Sequence, residues 1–398
     1  MSLEFSPSAL VVPRDDLVEL QRRLSATRWP NALTRHDFDY GVSLETVQLL
    51  TDTWRTQYQW SAHEERLNAV DQLRTEVFGQ PLHLLHVRSP HADALPLLLM
   101  NGFPSSAYQW IDVIAPLTRP TEFGGTATDA FHVIAPTIPG FTLSGPTRIS
   151  GWDPRRIAEA YAIVLAALGY SRYGVEGSDF GSMIAVNLAD IEATRVAGLN
   201  LSTVPVMRSY DRIERAQPPK DVDPNSLSPE TKARLELDAQ RWRASASLRA
   251  MQQAEPQTLG FALEDSPAGL LAWFGGGGQL DRERHASDSP DFGSTVSPRD
   301  HFLTNLSLFW FTRTATSAMR LYSEVRNAGR RNVPRQYVRV PTGIRMASTD
   351  VSHTPREWVE RKYNVTHWLE GRPGGHFAAA DAPLAYVDDL RIFFRSVR

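Results

Sequence analysis

The sequence predicts an α/β protein: a mostly parallel, doubly wound sheet with a helical arm before it and a helical insertion within it. Three observations predict this. Short apolar runs alternate with amphipathic segments between residues 97 and 201, the rhythm of strand–helix–strand crossovers. That rhythm stops after Val204, gives way to a charged, loop-rich helical stretch, and resumes at Thr342. Between one apolar run and its helix, Gly177-Ser178-Asp179-Phe180-Gly181-Ser182 gathers small residues around a carboxylate, as a sharp strand-to-helix turn requires.

Residues 1–90 read as a peripheral helical arm. Leu17, Leu20 and Leu24 recur at helical spacing, and Arg28-Trp29-Pro30 ends that helix because proline disfavours helix in the residue before it. Two more helices are expected over 44–58 and 62–73, then a strand over 82–87. The core begins near residue 91. Leu97-Leu98-Leu99-Met100 is unbroken apolar, as in strands buried inside a parallel sheet, and Pro96 stands at its first position, where a strand tolerates it. A loop at 101–106, a helix at 107–115, a strand at 131–135 and a helix at 157–168 lead to the turn; a helix to residue 193 and a strand at 196–201 follow it.

Residues 206–331 read as a cap inserted between two strands of the sheet, interrupted by glycines 275–278 and carrying apolar patches at 270–274 and 308–311. A strand at 342–346, a helix at 355–363, a strand at 365–369 and a closing helix at 387–394 place residues 332–398 back in the core, whose first part is 91–205.

Composition excludes several functions. Net charge is −3 over 398 residues, which suits neither nucleic acid nor an acidic membrane surface. There is no cysteine, hence no disulfide, thiolate metal site or sulfur redox chemistry. The N-terminus shows no basic segment followed by an apolar one, and no apolar run approaches the roughly 20 residues that span a bilayer. A soluble, cytoplasmic protein is expected, and a homodimer is compatible with it.

The carboxylate in the turn sets the chemistry. In such an elbow the central residue points into open space, and the new helix directs N–H groups and its positive dipole end towards it. Serine, the usual occupant, needs a base, whereas an Asp of ordinary pKa (about 3.9) is already ionised at neutral pH. A carboxylate suits attack on saturated carbon, giving an alkyl ester that water activated by a His then cleaves. Epoxides and alkyl halides are fitting electrophiles. Alone, Gly-x-Asp-x-Gly is also an ordinary polar turn, so its partners decide.

Those partners should follow in the order nucleophile, acid, His. Asp350, in Ser348-Thr349-Asp350, comes just after the resumed strand, at the carboxyl edge of the sheet. His376, in Gly374-Gly375-His376-Phe377, follows the last strand on a loop able to reach Asp179. Asp350 would accept the Nδ1–H of His376 while Nε2 takes a proton from water. Read singly, Asp350 is a surface turn and His376 one of eleven histidines; order and position single them out.

With these residues in place, the chain resembles a soluble member of the microsomal-type epoxide hydrolases, in the α/β-hydrolase superfamily. The likeness runs nearly end to end: Arg28-Trp29-Pro30, Tyr40-Gly41-Val42 and Glu65-Arg66-Leu67-Asn68 in the arm, the Asp-centred elbow, Ser266-Pro267 to Trp273 in the cap, then Asp350 and Gly374-Gly375-His376-Phe377-Ala378. It implies a cofactor-independent, metal-free hydrolase that opens an apolar, even aryl, epoxide to a vicinal diol. The loop Asn101-Gly102-Phe103-Pro104 takes the place of the family's His-Gly-x-Pro, so the N–H groups of Phe103 and Phe180 are expected to form an oxyanion hole.

Two cap tyrosines in that family assist the departing oxygen. Tyr322, in Arg320-Leu321-Tyr322-Ser323-Glu324, matches the second; the first position holds Leu248, with Gln252 a nearby candidate to replace it. Trp273, Phe309 and Trp310 are expected in the pocket, although aromatics at helical spacing are as readily cap core. Three rivals share the scaffold. A haloalkane-type dehalogenase would use the same Asp but wants side-chain N–H donors where Phe103 and Phe180 stand. A serine esterase would need Ser178 or Ser182 at the elbow's centre. A silent binding protein would not need Asp179, Asp350 and His376 together.

Overall fold

The computed structural model describes residues 3–33, 40–205, 223–276, 294–329, 336–350 and 354–398. Its nine strands are β1 (Ser6–Pro7), β2 (Gln72–Val77), β3 (Gln80–Val87), β4 (Leu95–Met100), β5 (Phe131–Pro136), β6 (Tyr173–Gly177), β7 (Val196–Leu201), β8 (Val338–Ala347) and β9 (Tyr363–Arg372). They form one sheet in the order 1-2-3-5-4-6-7-8-9. The first three strands join antiparallel to one another and to β5, and every pairing from β5 to β9 is parallel. From β4 the chain turns to one side for β5 and to the other for β6. The crevice at their carboxyl ends is the topological switch point where ligands bind in such sheets.

The apolar runs explain the layering. Side chains alternate across a strand, so Leu98 and Met100 of β4 enter one core and Leu97 and Leu99 the other. Helices Pro154–Ala167 and Phe180–Ile191 close the first, and Ile111–Thr118 and Pro383–Arg395 the second. Between β7 and β8 lie the described cap helices, Pro229–Ala244, Ala246–Ala254, Pro256–Leu263, Pro267–Phe274, Pro298–Thr312 and Ala315–Ala328. Three of them begin Ser-Pro: Ser228, Ser266 and Ser297 each accept a first-turn N–H, and the following proline lacks the N–H that would be orphaned there. Among the described residues no helix is long and apolar enough to cross a membrane.

One expected element is different. The helix placed over 62–73 is Trp60–Asn68, and residues 72–77 are strand β2. Leu73 and Val70 extend a helical pattern in sequence, but Gln72–Val77 pairs with β3 through the turn Phe78-Gly79, and exposed and buried positions alternate from Arg74 to Val77. Both turn residues have positive φ, 55° and 76°, as a tight hairpin with the sheet's twist requires. A six-residue strand that depends on its partner carries little local signal.

The arm is also less peripheral than its composition suggests. Trp54 is 1% exposed, and its indole N–H donates to Ser307 Oγ at 3.0 Å on the cap helix Pro298–Thr312. The Tyr58 hydroxyl donates to Thr304 Oγ1 at 3.0 Å one turn earlier, and Arg23 pairs with Asp265 ahead of Pro267–Phe274. The arm therefore holds the cap down on the sheet. Trp54→Ala should lower stability by about 3–5 kcal/mol, the usual cost of emptying a buried tryptophan site. Denaturant unfolding checks this, and limited proteolysis should show earlier cleavage within the arm.

Candidate active site

Asp179 ends the turn after β6 and caps the helix Phe180–Ile191, with φ +50° and ψ −121°. Few residues other than glycine adopt that conformation, and only closely fitted surroundings maintain it. Here the surroundings are glycines. A β-carbon on Gly177 would lie 2.6 Å from the Gly181 carbonyl oxygen, and one on Gly181 would lie 2.1 Å from that of Met100. One on Gly102 would lie 2.2 Å from Asp179 Oδ1 itself. The close crossing is locked by hydrogen bonds: Ser178 N–H to the Met100 carbonyl at 3.1 Å, Ser182 Oγ to the Gly177 carbonyl at 2.7 Å, and Asp179 N–H to Thr203 Oγ1 at 3.2 Å.

The Asp179 carboxylate faces two of the predicted residues. Its Oδ1 accepts the Phe103 N–H at 3.1 Å, and its Oδ2 lies 3.4 Å from His376 Nε2. His376 Nδ1 is 2.9 Å from Asp350 Oδ1, and Asp350 is buried. The imidazole thus lies between two carboxylates. Burial alone would lower its pKa, but the charge of Asp350, the hydrogen bonds to Asp179 and Asp350 and the charge of Asp179 together push it up. The two flanking carboxylates thus favour the protonated form of the imidazole.

Phe180 is the first residue of the helix, directly after Asp179 at the N-cap position, so its backbone N–H is one of those the helix itself leaves unbonded. The rings of Phe103 and Phe180 both meet Tyr322 edge to face, at 5.6 Å and 4.7 Å between centroids. Phe274 and Phe309 pack on Phe103 at 5.0 Å and 6.3 Å, and Phe141 adds a third edge at 6.3 Å. The cap helices Pro267–Phe274, Pro298–Thr312 and Ala315–Ala328 thus meet the sheet in an aromatic cluster around Phe103, whose N–H bonds Asp179.

The remaining pocket candidates divide. Gln252 is buried on the helix Ala246–Ala254, whose carbonyls at Gln252 and Gln253 accept the Ser323 hydroxyl next to Tyr322. Leu248 lies against the end of the cap helix, where a β-carbon on Gly276 would come within 2.5 Å of its Cδ1. Trp273 is half-buried, and its indole N–H is buried with no hydrogen-bond partner among the described residues. Trp310 is turned elsewhere. The guanidinium of Arg23 lies 5.8 Å above its ring, so it belongs to the arm–cap contact rather than to the aromatic cluster over Asp179. Its neighbour Phe309, about 100° round the same helix, takes the inward position.

Several residues near the site were not singled out in sequence. Thr203 holds the Asp179 N–H, and Arg345, Thr349 and Asp381 bond the backbone before His376. Only Arg345 carried a signal, a lone charge within the apolar strand Gly343-Ile344-Arg345-Met346, which has to be paired where it is buried. Glu176 faces the core, not the nucleophile: Tyr386 and Ser202 bond its Oε1 at 2.6 and 3.0 Å and Asn200 its Oε2 at 2.6 Å. Burial pushes its pKa up to about 7 against those bonds. Among the described residues no cluster of three or more His, Asp or Glu side chains is arranged to hold a metal ion.

Comparison with known proteins agrees with this geometry. Residues 5–110 match the family model "Epoxide hydrolase N terminus" and residues 96–263 match "alpha/beta hydrolase fold". A Stigmatella aurantiaca protein named "Putative epoxide hydrolase" is 36% identical over 395 residues, covering 99% of this chain and 85% of its own length. Epoxide hydrolase 1 of Sus scrofa is 29% identical over 397 residues, with 95% and 86% covered. Among solved structures, the Aspergillus niger epoxide hydrolase superposes with a TM-score of 0.82 at 24% identity, over 100% of this chain and 97% of that one. The juvenile hormone epoxide hydrolase of the silkworm Bombyx mori gives 0.84 at 24%, over 100% and 95%. On this evidence the chain belongs to the epoxide hydrolase family of α/β-hydrolases.

Proposed function

We propose that this protein hydrolyses apolar epoxides to vicinal diols through an ester on Asp179. The observation that carries the reading is the Asp179 carboxylate itself, with one oxygen on the Phe103 N–H and the other facing His376. No cofactor is needed. Asp179 attacks an epoxide carbon, the C–O bond breaks, and Tyr322 gives its phenolic proton to the departing alkoxide. The imidazolium at His376 supplies the proton that finally restores the phenol.

Alkylation also changes the base. Once Asp179 is an ester, His376 has lost one of the two negative charges that held its proton, and its pKa falls. Neutral His376, oriented by Asp350, then takes a proton from water, and the hydroxide attacks the ester carbonyl. The N–H groups of Phe103 and Phe180 receive the tetrahedral oxyanion. Collapse releases the diol, restores the Asp179 carboxylate and leaves His376 protonated, so the proton count closes over one cycle. The aromatic cluster of Phe103, Phe274, Phe309 and Tyr322 supports an apolar substrate. A dehalogenase is disfavoured because Phe103 and Phe180 offer no side-chain N–H to a halide.

The test is a single turnover in ¹⁸O-water with enzyme in excess over styrene oxide. Water attacks the ester carbonyl, so label should enter the Asp179 carboxylate and be nearly absent from the diol. Label found chiefly in the diol would mean direct attack of water on the epoxide.

With Leu248 opposite it, Tyr322 is the phenol assigned to the leaving oxygen. Removing one preorganised oxyanion donor typically lowers a rate by about 10²–10³. Tyr322→Phe should slow ester formation by at least that factor while leaving substrate affinity and unfolding nearly unchanged. Alkylation within a few-fold of wild type would transfer the role to Gln252 or to the Trp273 indole N–H.

A further inference from the structure

Each of the three residues before His376 is held by a different side chain. Arg345 Nη2 donates to the Pro373 carbonyl at 2.6 Å, and Thr349 Oγ1 donates to the Gly374 carbonyl at 3.1 Å. The Gly375 N–H donates to Asp381 Oδ2 at 2.8 Å. Thr349 and Asp381 are exposed, where water competes for the same groups. Arg345 is not. Its side chain is 1% exposed, and its Nε donates to Asp389 Oδ2 at 2.9 Å, the carboxylate being equally buried. Arg372, at the end of β9, binds that same carboxylate at 3.0 and 2.7 Å. The Arg345 guanidinium also lies 5.2 Å from the ring of Tyr386, whose hydroxyl bonds Glu176.

This places one rigid group between the two halves of the acid–base pair. Arg345 is on β8, five residues before Asp350, and it grips the loop three residues before His376. A guanidinium can hold two acceptors at fixed angles, which an ammonium on a flexible stem does less well. Leaving such a charge in the core is unfavourable unless it is fully paired. Asp389 takes its Nε and the Pro373 carbonyl its Nη2, while Nη1 is buried without a hydrogen-bond partner among the described residues.

The two half-reactions of the proposed cycle make unequal demands on that loop. Asp179 can attack the epoxide without His376 taking up a proton. Hydrolysis requires Nε2 to meet a water at the ester carbonyl while Nδ1–H stays on Asp350. A misplacement of about 1 Å there costs on the order of 10²-fold. We propose that Arg345, braced by Asp389, is a positioning residue for the hydrolytic half-reaction: its bond to the Pro373 carbonyl sets where His376 stands between Asp350 and the ester. This rests on the two-step reading above.

The experiment compares ester formation and ester breakdown in Arg345→Lys and wild type, by rapid quench and intact-protein mass spectrometry with styrene oxide. His376→Ala provides the reference for a blocked second step. Ester formation in Arg345→Lys should stay within about 2-fold of wild type, while breakdown slows by about 10–100-fold and the alkyl-enzyme accumulates. A merely structural role would lower both rates together, and that result overturns the proposal; so does an unchanged breakdown rate. Should Arg345→Lys fold poorly, the double variant Arg345→Met with Asp389→Leu replaces the buried ions by apolar groups of similar size, a change folds often accept. Wild-type breakdown in that variant would overturn the proposal, and selective loss of breakdown would support it. An adduct in His376→Ala without one in Arg345→Lys sinks this assignment alone. No adduct in either sinks the two-step reading and the assignment with it.

Discussion

The structure depends on one close approach, that of Gly181 to the backbone at Met100. With a β-carbon position only 2.1 Å from the Met100 carbonyl oxygen, no other residue lets the helix Phe180–Ile191 begin so near the end of β4. Move that helix outward and Asp179 leaves the Phe103 N–H, the turn loses the bond from Ser178 to Met100, and the carboxylate no longer stands over the switch point. The strained φ of Asp179 is the local cost of this crossing. It is sustained by two cores that clamp β4 and β6 from both faces, so global packing holds a conformation that the local sequence would not choose.

Electrostatics then ties the late part of the chain to the early part. Asp179 belongs to residues 173–182, while Asp350 and His376 arrive after the whole cap, yet His376 lies 2.9 Å from Asp350 on one side and 3.4 Å from Asp179 on the other. Two carboxylates flanking one imidazole is a stable arrangement only while the imidazole is charged. It ceases to be so when one carboxylate becomes an ester. The same contact therefore supports opposite states at two points of the proposed cycle, without any side chain having to move far.

What could be read in sequence is what local pattern encodes. The elbow is visible because small residues around a polar one have few structural explanations in a strand–helix context. Strand β4 is visible because burial on both faces leaves an unbroken apolar run, and Asp350 and His376 are singled out by chain order. The rest was hidden for a physical reason. Strand β2 is stabilised by its partner across the Phe78-Gly79 turn, and the docking of Trp54 on Ser307 joins residues 253 positions apart. Neither leaves a period in its own segment. Trp310 and Phe309 are adjacent and equally apolar, and only the packing of their helix decides which ring faces the arm and which faces Phe103. Arg345 stands as a lone charge in an apolar strand, but nothing in its own segment names Asp389, 44 residues later, as its partner.

The cap and the core meet in residues that serve both. Phe103 gives its backbone N–H to Asp179, Phe180 directly follows it, and the rings of both hold Tyr322 edge-on from two sides. Edge-to-face pairs of this kind are worth about 0.5–1.5 kcal/mol each beyond burial, and their geometry restricts the ring more than their strength suggests. The phenol assigned to the first half-reaction is thus oriented by the residues assigned to the oxyanion of the second. The arm, through Trp54 and Tyr58, holds the cap helix Pro298–Thr312, whose Phe309 ring packs on Phe103 in the same aromatic cluster.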